Sequence, residues 1–154
     1  MNIKKIANLF INFTIRRMAE IFGIIISICG ILLFASLLTY SPEDPNFIFP
    51  ENTEINNILG FHGSFISDLF FQSFGLIAYL ISITFTVTGF NLLKSKEFIL
   101  IIENIFFAIT YSVFGTLFLS HFYLDSFNLY INGNGGFVGN YFNQTFTLKH
   151  SYSI

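Results

Sequence analysis

The sequence predicts an all-α, polytopic membrane protein with three transmembrane helices, and three observations carry that prediction. Only 10% of the 154 residues are charged, against 53% hydrophobic, whereas soluble domains carry roughly 25% charged residues. The mean hydropathy is +0.67. Three stretches are long and apolar enough to cross a bilayer. A water-soluble fold of this length would leave much of its apolar surface exposed. The length allows one domain at most.

Residues 1–20 form a basic, cytoplasmic segment. Lys4, Lys5, Arg16 and Arg17 stand among Ile3, Ile6, Leu9, Phe10 and Phe13, which recur at spacings of three and four. The pattern reads either as an interfacial helix whose bases meet anionic headgroups or as bases that only fix topology. The first span covers residues 21–40. No charge falls between Glu20 and Glu43, and 20 residues at 1.5 Å each reach across the roughly 30 Å hydrocarbon core. The apolar run is longer than that of a signal peptide and lacks a small-x-small cleavage site, so it reads as an uncleaved anchor. Pro42, Pro45 and Pro50 end the helix near Tyr40. Tyr40 itself lies where an aromatic belt residue would.

Residues 41–68 are an acidic loop with an amphipathic segment. They hold Glu43, Asp44, Glu51, Glu54 and Asp68 and no base. Gly60 and Gly63 open a stretch to Gly75 in which Ile66, Leu69, Phe70 and Phe74 share helical spacing. A single helix from Ser64 to Leu93 would be about 45 Å long, too long to stand upright in the core. The segment is therefore expected to lie in the outer interface and turn inward near Gly75. The second span is assigned to 69–93, a cytoplasmic turn to 94–97, and the third span to 98–120. Residues 121–154 form a glycine-containing outer segment.

Orientation follows from the bases. Four precede the first span, none lies between Arg17 and Lys94, and Lys94 and Lys96 occupy the turn between spans two and three. The positive-inside rule places the N-terminus and that turn in the cytoplasm, and the 41–68 loop outside.

Reactive chemistry finds little support. Cys29 is the one cysteine, and His62, His121 and His150 have no metal-ligand spacing. The run Asn132-Gly133-Asn134-Gly135-Gly136-Phe137-Val138-Gly139 lacks the Gly-Lys-Ser/Thr of a phosphate loop, and Val138 takes the place of the third glycine of a dinucleotide site. It reads as a turn or a tight helix start. Glu103 is the one acid inside a span, near its cytoplasmic edge, with Lys94 or Lys96 as partners. Thr84, Thr86, Thr88 and Gly89, then Thr110, Ser112, Gly115 and Thr116, with Gly23, Ser27 and Gly30 in span one, suit close helix packing. No catalytic set, no cofactor and no metal site is expected, and the charge pattern gives no nucleic-acid contact.

Several elements in order carry a family resemblance. Arg16-Arg17-x-x-Glu20 leads into the first span, and Tyr40-Ser41-Pro42-Glu43-Asp44-Pro45 closes it. Asn57-x-Leu59-Gly60, Gly63 and Asp68 precede Phe74-Gly75-Leu76-x-Ala78-Tyr79, and Gly135-Gly136-x-x-Gly139 follows the third span. From residue 16 to about 145 the chain resembles the N-terminal four-helix membrane region of the FtsK/SpoIIIE bacterial DNA translocases. The resemblance implies a membrane anchor for a hexameric motor at the division septum, active in chromosome segregation and cell division. It also implies homo-oligomers and division proteins as partners beside the lipid bilayer, with no enzymatic activity in this part. Residue by residue it carries over Arg16 and Arg17 as cytoplasmic anchors, Ser41 to Pro45 as the start of the first outer loop, and Gly135 to Gly139 as the lead into a fourth span.

The departure lies at the end. Asn140 to Ile154 is too short and too polar to cross a bilayer, so the sequence reads as a fragment cut before the fourth span. Two other readings stay open. One is a small transporter or channel subunit, which needs polar groups facing a pathway. The other is a stand-alone three-span division scaffold.

Overall fold

A computed structural model describes residues 3–45, 54–123 and 132–151. Among the described residues there are five helices: α1 (Ile3–Leu38), α2 (Gly60–Phe74), α3 (Ile77–Ser95), α4 (Ile99–Phe122) and α5 (Gly136–Ser151). Three stretches among these residues are long and apolar enough to cross a membrane, Ile6–Leu38, Ile77–Ser95 and Ile99–Phe122. The chain is an all-helical, multi-pass membrane protein, as its composition requires.

The helix boundaries differ from the sequence reading at three places. α1 runs 36 residues with no break at Glu20, where a basic segment and a span were set apart. No Pro or Gly falls between Ile3 and Phe22, and Arg17 pairs with Glu20 one turn on at 2.5 Å. At 1.5 Å per residue α1 is about 54 Å long, roughly 24 Å more than the hydrocarbon core. Residues 69–74 belong to α2 rather than to the second span, because the chain breaks at Gly75. Its φ of +56° is a left-handed conformation open to glycine. Finally, Gly136–Ser151 is helical, so that of the turn or tight helix start read at the glycines the second holds, and the polar stretch after it continues the helix. Gly136, at φ +63°, starts that helix.

α1 and α3 run antiparallel in a register that small residues set. A Cβ on Gly23 would meet the Leu93 side chain at 2.8 Å, and one on Gly89 would meet Ser27 Oγ at 2.2 Å. One on Gly30 would lie 2.5 Å from the Thr86 backbone nitrogen. Further along, Tyr79 Oη donates to the Leu37 carbonyl at 3.2 Å. α4 joins through the Thr84–Tyr111 hydroxyl pair at 2.8 Å.

α4 reverses the pattern of a soluble core. The buried side chains of α4 are Ser112, Thr116 and Ser120, while Phe106 and Phe114 on the same helix are 67% and 68% exposed. Lipid is as apolar as phenylalanine, so large side chains gain nothing by turning inward, and small ones let backbones approach. Hydroxyls inside the helices bond the carbonyl one turn back: Thr86 to Ser82 at 3.0 Å, Thr88 to Thr84 at 2.6 Å, Thr116 to Ser112 at 2.7 Å.

Gly30→Leu pushes a side chain into the α3 backbone and is expected to cost about 1–3 kcal/mol. It is read as a lowered melting temperature in detergent. Ile31→Val, at a neighbouring position 49% exposed, is expected to stay within about 0.5 kcal/mol of the parent.

Candidate functional site

The polar groups gather at the loop end of the bundle, where α1 stops. Ser41 accepts the Asp44 backbone N–H at 3.2 Å, and this turn aims the Asp44 side chain inward. Asp44 is 2% exposed. Its carboxylate accepts the backbone N–H of Asn56 at 2.8 Å, the Asn56 side-chain amide at 3.2 Å and the backbone N–H of Asn57 at 2.9 Å. Among the described residues no cation pairs with it. The charge is held by N–H donors, which return the far end of the loop to its start.

Asn57 continues the clasp. Its amide donates to the Ser36 carbonyl at 2.9 Å and the Thr39 carbonyl at 3.3 Å, two acceptors left open at the end of α1. Ser36 Oγ donates to the Gly63 carbonyl at 2.6 Å, Ser67 Oγ to the same carbonyl at 2.8 Å, and Ser64 Oγ to the Pro45 carbonyl at 2.8 Å. Gly63 allows this because a Cβ there would sit 2.1 Å from Asn57 Oδ1. Tyr40 Oη donates to Asp68 at 2.9 Å. The Tyr40 ring packs on Phe71 at 4.9 Å, and Phe71 meets Tyr79 edge-on at 5.4 Å. Leu33, Leu37, Phe71 and Ala78 form the apolar cluster beneath.

A second joint links α5 to the elbow between α2 and α3. The Leu76 backbone N–H donates to the Asn134 carbonyl at 2.9 Å, and a Cβ on Gly75 would lie 1.9 Å from that oxygen. Gly136 faces Gly75 N at 2.6 Å in the same sense, and Gly135 and Gly139 bring α5 onto the Thr116 carbonyl and Ser120 of α4. Asn132 donates to the Gln72 carbonyl at 3.1 Å, and Asn134 to the Tyr123 carbonyl at 2.6 Å. Phe74 tilts against Phe70 at 6.1 Å.

At the turn end, Glu20 accepts from Arg17 at 2.5 Å and from Lys96 at 2.5 Å. Lys96 is itself left-handed at φ 59°, and its backbone N–H closes α3 on the Leu92 carbonyl at 2.8 Å. Lys4, Arg16 and Lys94 are exposed, and the side chain of Lys5 lies outside the described residues, as does that of His150. Glu103 is exposed on α4 and reaches neither Lys94 nor Lys96 within ion-pair distance. Among the described residues no group of three His, Cys, Asp or Glu could hold a metal.

The structure thus brings together Tyr40, Ser41, Asp44, Pro45, Gly60, Asp68, Ala78 and Tyr79 at one end, joins Gly75 to Asn134 and Gly136, and sets Gly135 and Gly139 on α4. Sequence reasoning gave no role to Ser36, Ser64, Ser67 or Asn134, and quoted Asn57 only as part of a pattern. The signal for Asn57 was its place beside a run of proline-broken loop, where open carbonyls need a donor.

Asp44→Ala leaves the Asn56 and Asn57 N–H groups without an acceptor, at an expected cost of about 1–3 kcal/mol. Asp44→Asn, which keeps an acceptor oxygen, is expected to lose less, and Glu43→Ala, at an exposed neighbour, almost nothing. Thermal melting and the rate of protease cleavage within residues 41–60 check the ranking.

Comparison with known proteins gives a consistent answer. The family described as the 4TM region of DNA translocase FtsK/SpoIIIE matches residues 15–148. A DNA translocase FtsK of Azospirillum brasilense is 28% identical over 112 residues, 71% of this chain and 17% of that protein. That of Rickettsia bellii is 31% identical over 78 residues, 51% of this chain and 10% of the relative. That of Caulobacter vibrioides is 36% identical over 67 residues, 44% of this chain and 8% of the relative. The chain therefore matches only a small fraction of the length of these relatives. No solved structure matches. With its three candidate spans, its Ser-Pro-Glu-Asp-Pro clasp and its glycine joint at Gly75, the chain belongs to the family of the 4TM region of FtsK/SpoIIIE DNA translocases.

Proposed function

We propose that this chain is the membrane anchor of a DNA translocase acting in chromosome segregation and cell division, and that it performs no enzymatic step itself. The family match over residues 15–148 carries the reading. In this role the helices hold a position in the bilayer while another part of the translocase handles DNA. The chain then needs no cofactor and no contact with nucleic acid. Its partners are lipid, further copies of itself and division proteins.

The proposed setting is the bacterial inner membrane with the N-terminus in the cytoplasm. Arg17 and Lys96, from opposite ends of the sequence reading's first and second spans, meet on Glu20. The bases of the N-terminal segment and of the α3–α4 turn therefore share one end of the bundle, which supports a single cytoplasmic face. The loop end, with Glu43, Asp44, Glu54 and Asp68 and no base between Arg17 and Lys94, is the outer face.

A fluorescent protein fused to the N-terminus is expected to concentrate at midcell in dividing bacteria. Alkaline phosphatase fused after Glu54 is expected to be active, and fused after Lys96 inactive. A uniform membrane label overturns the division role, and the reverse phosphatase pattern overturns the orientation.

A further inference from the structure

A slot of about 460 Å³ lies between α1 and α2, within the roughly 300–1,000 Å³ of small-molecule sites. Its wall is α1, through Cys29 and Leu32, its roof is α2, through His62, Ile66 and Phe70, and Phe85 of α3 closes the back. The α1 wall belongs to a membrane span, and Leu32 there is 45% exposed. The slot is continuous with the lipid-facing surface and rises from it beneath α2.

Water has little to hold it in this space. The Ser36 hydroxyl, on the slot wall, already donates to the Gly63 carbonyl at 2.6 Å, and a buried water wants two to four polar partners. The lining is apolar and its α1 wall belongs to a membrane span, so an apolar and flexible occupant is the one such surroundings supply. At the rim His62 is exposed and forms no ion pair or hydrogen bond with a described residue. The stretch of chain that holds α2, from Met18 to Leu93, carries acids and no base. An anionic headgroup is repelled there, whereas an ammonium is attracted and a phosphate can accept from the imidazole.

We propose that the slot between α1 and α2 holds an acyl chain of a zwitterionic, ethanolamine-type phospholipid whose headgroup sits at His62. The chain contains no tryptophan, so one introduced tryptophan reports alone. Ile66→Trp probes the roof and Leu32→Trp the opposite wall, which keeps the test intact if either variant misfolds. Phe107→Trp, on α4 at a position 62% exposed, reports general lipid contact. The full chain is reconstituted in vesicles with a minor share of brominated-chain phosphatidylethanolamine or, separately, brominated-chain phosphatidylglycerol.

The ratio of quenching by the two lipids is expected to be about twofold at both slot probes and about one at Phe107→Trp. Adding His62→Ala to Ile66→Trp is expected to bring its ratio to about one. A ratio of one at both slot probes leaves only bulk lipid contact and overturns the proposal. A ratio below one assigns an anionic lipid and overturns the headgroup. Absence of quenching by either lipid at both probes means that protein fills the slot, and overturns it as well.

Discussion

The approach of α1 to α3 through Gly23, Ser27, Gly30 and Gly89 is the constraint on which the other contacts depend. In a bilayer no apolar side chain gains by leaving lipid for protein, so helices associate through van der Waals contact and hydrogen bonds between surfaces that fit. A pair with larger residues at these positions would stand apart. The Leu37 carbonyl would then be out of reach of Tyr79, and Phe71 would lose the wall formed by Leu33 and Leu37. The loop clasp is built on the end of that pair, and its geometry is inherited from it.

Polar groups in such a setting need partners at short range. The clasp answers this mainly by pairing side chains with backbone, with the Asn56–Asp44 and Tyr40–Asp68 side-chain pairs beside them. Asp44, Asn57, Ser36, Ser64 and Ser67 each bond main-chain N–H or C=O groups. The two ends of the connection are joined through atoms that every residue has. Glu43 and Glu54, near those ends, are exposed.

The spans were legible in the sequence because charge and length alone decide them. Tyr40 marked the end of α1 to within two residues, since proline cannot continue a helix. The continuity of α1 through Glu20 is not written in the bases, which mark where charge lies and not where a helix stops, and the backbone beneath them has no reason to break. The helix at Gly136–Ser151 escaped because its polar residues point to no membrane, and what orders it is tertiary: Gly135 and Gly139 against Thr116 and Ser120, and Asn140 against Ser120 at 2.9 Å. Glycines in a row announce a close approach somewhere. Only the fold says to what. The small residues in the spans read as packing groups, and Thr84, Gly89, Ser112 and Thr116 serve as such, whereas the joint between Gly75 and Gly136 depends on two segments about 60 residues apart that no local pattern connects.

That joint has a mechanical meaning. Where side chains meet, a shift of one helix is taken up by rotamers and dies away within a few ångströms. At Gly75 and Gly136 main chain rests directly on main chain, and there is nothing to yield. A displacement of α5 therefore bears directly on the elbow of α2 and α3, through this contact and through the Leu76 N–H bond to the Asn134 carbonyl. Load entering the anchor at either helix is thus passed on as by a rivet, not damped as by a cushion.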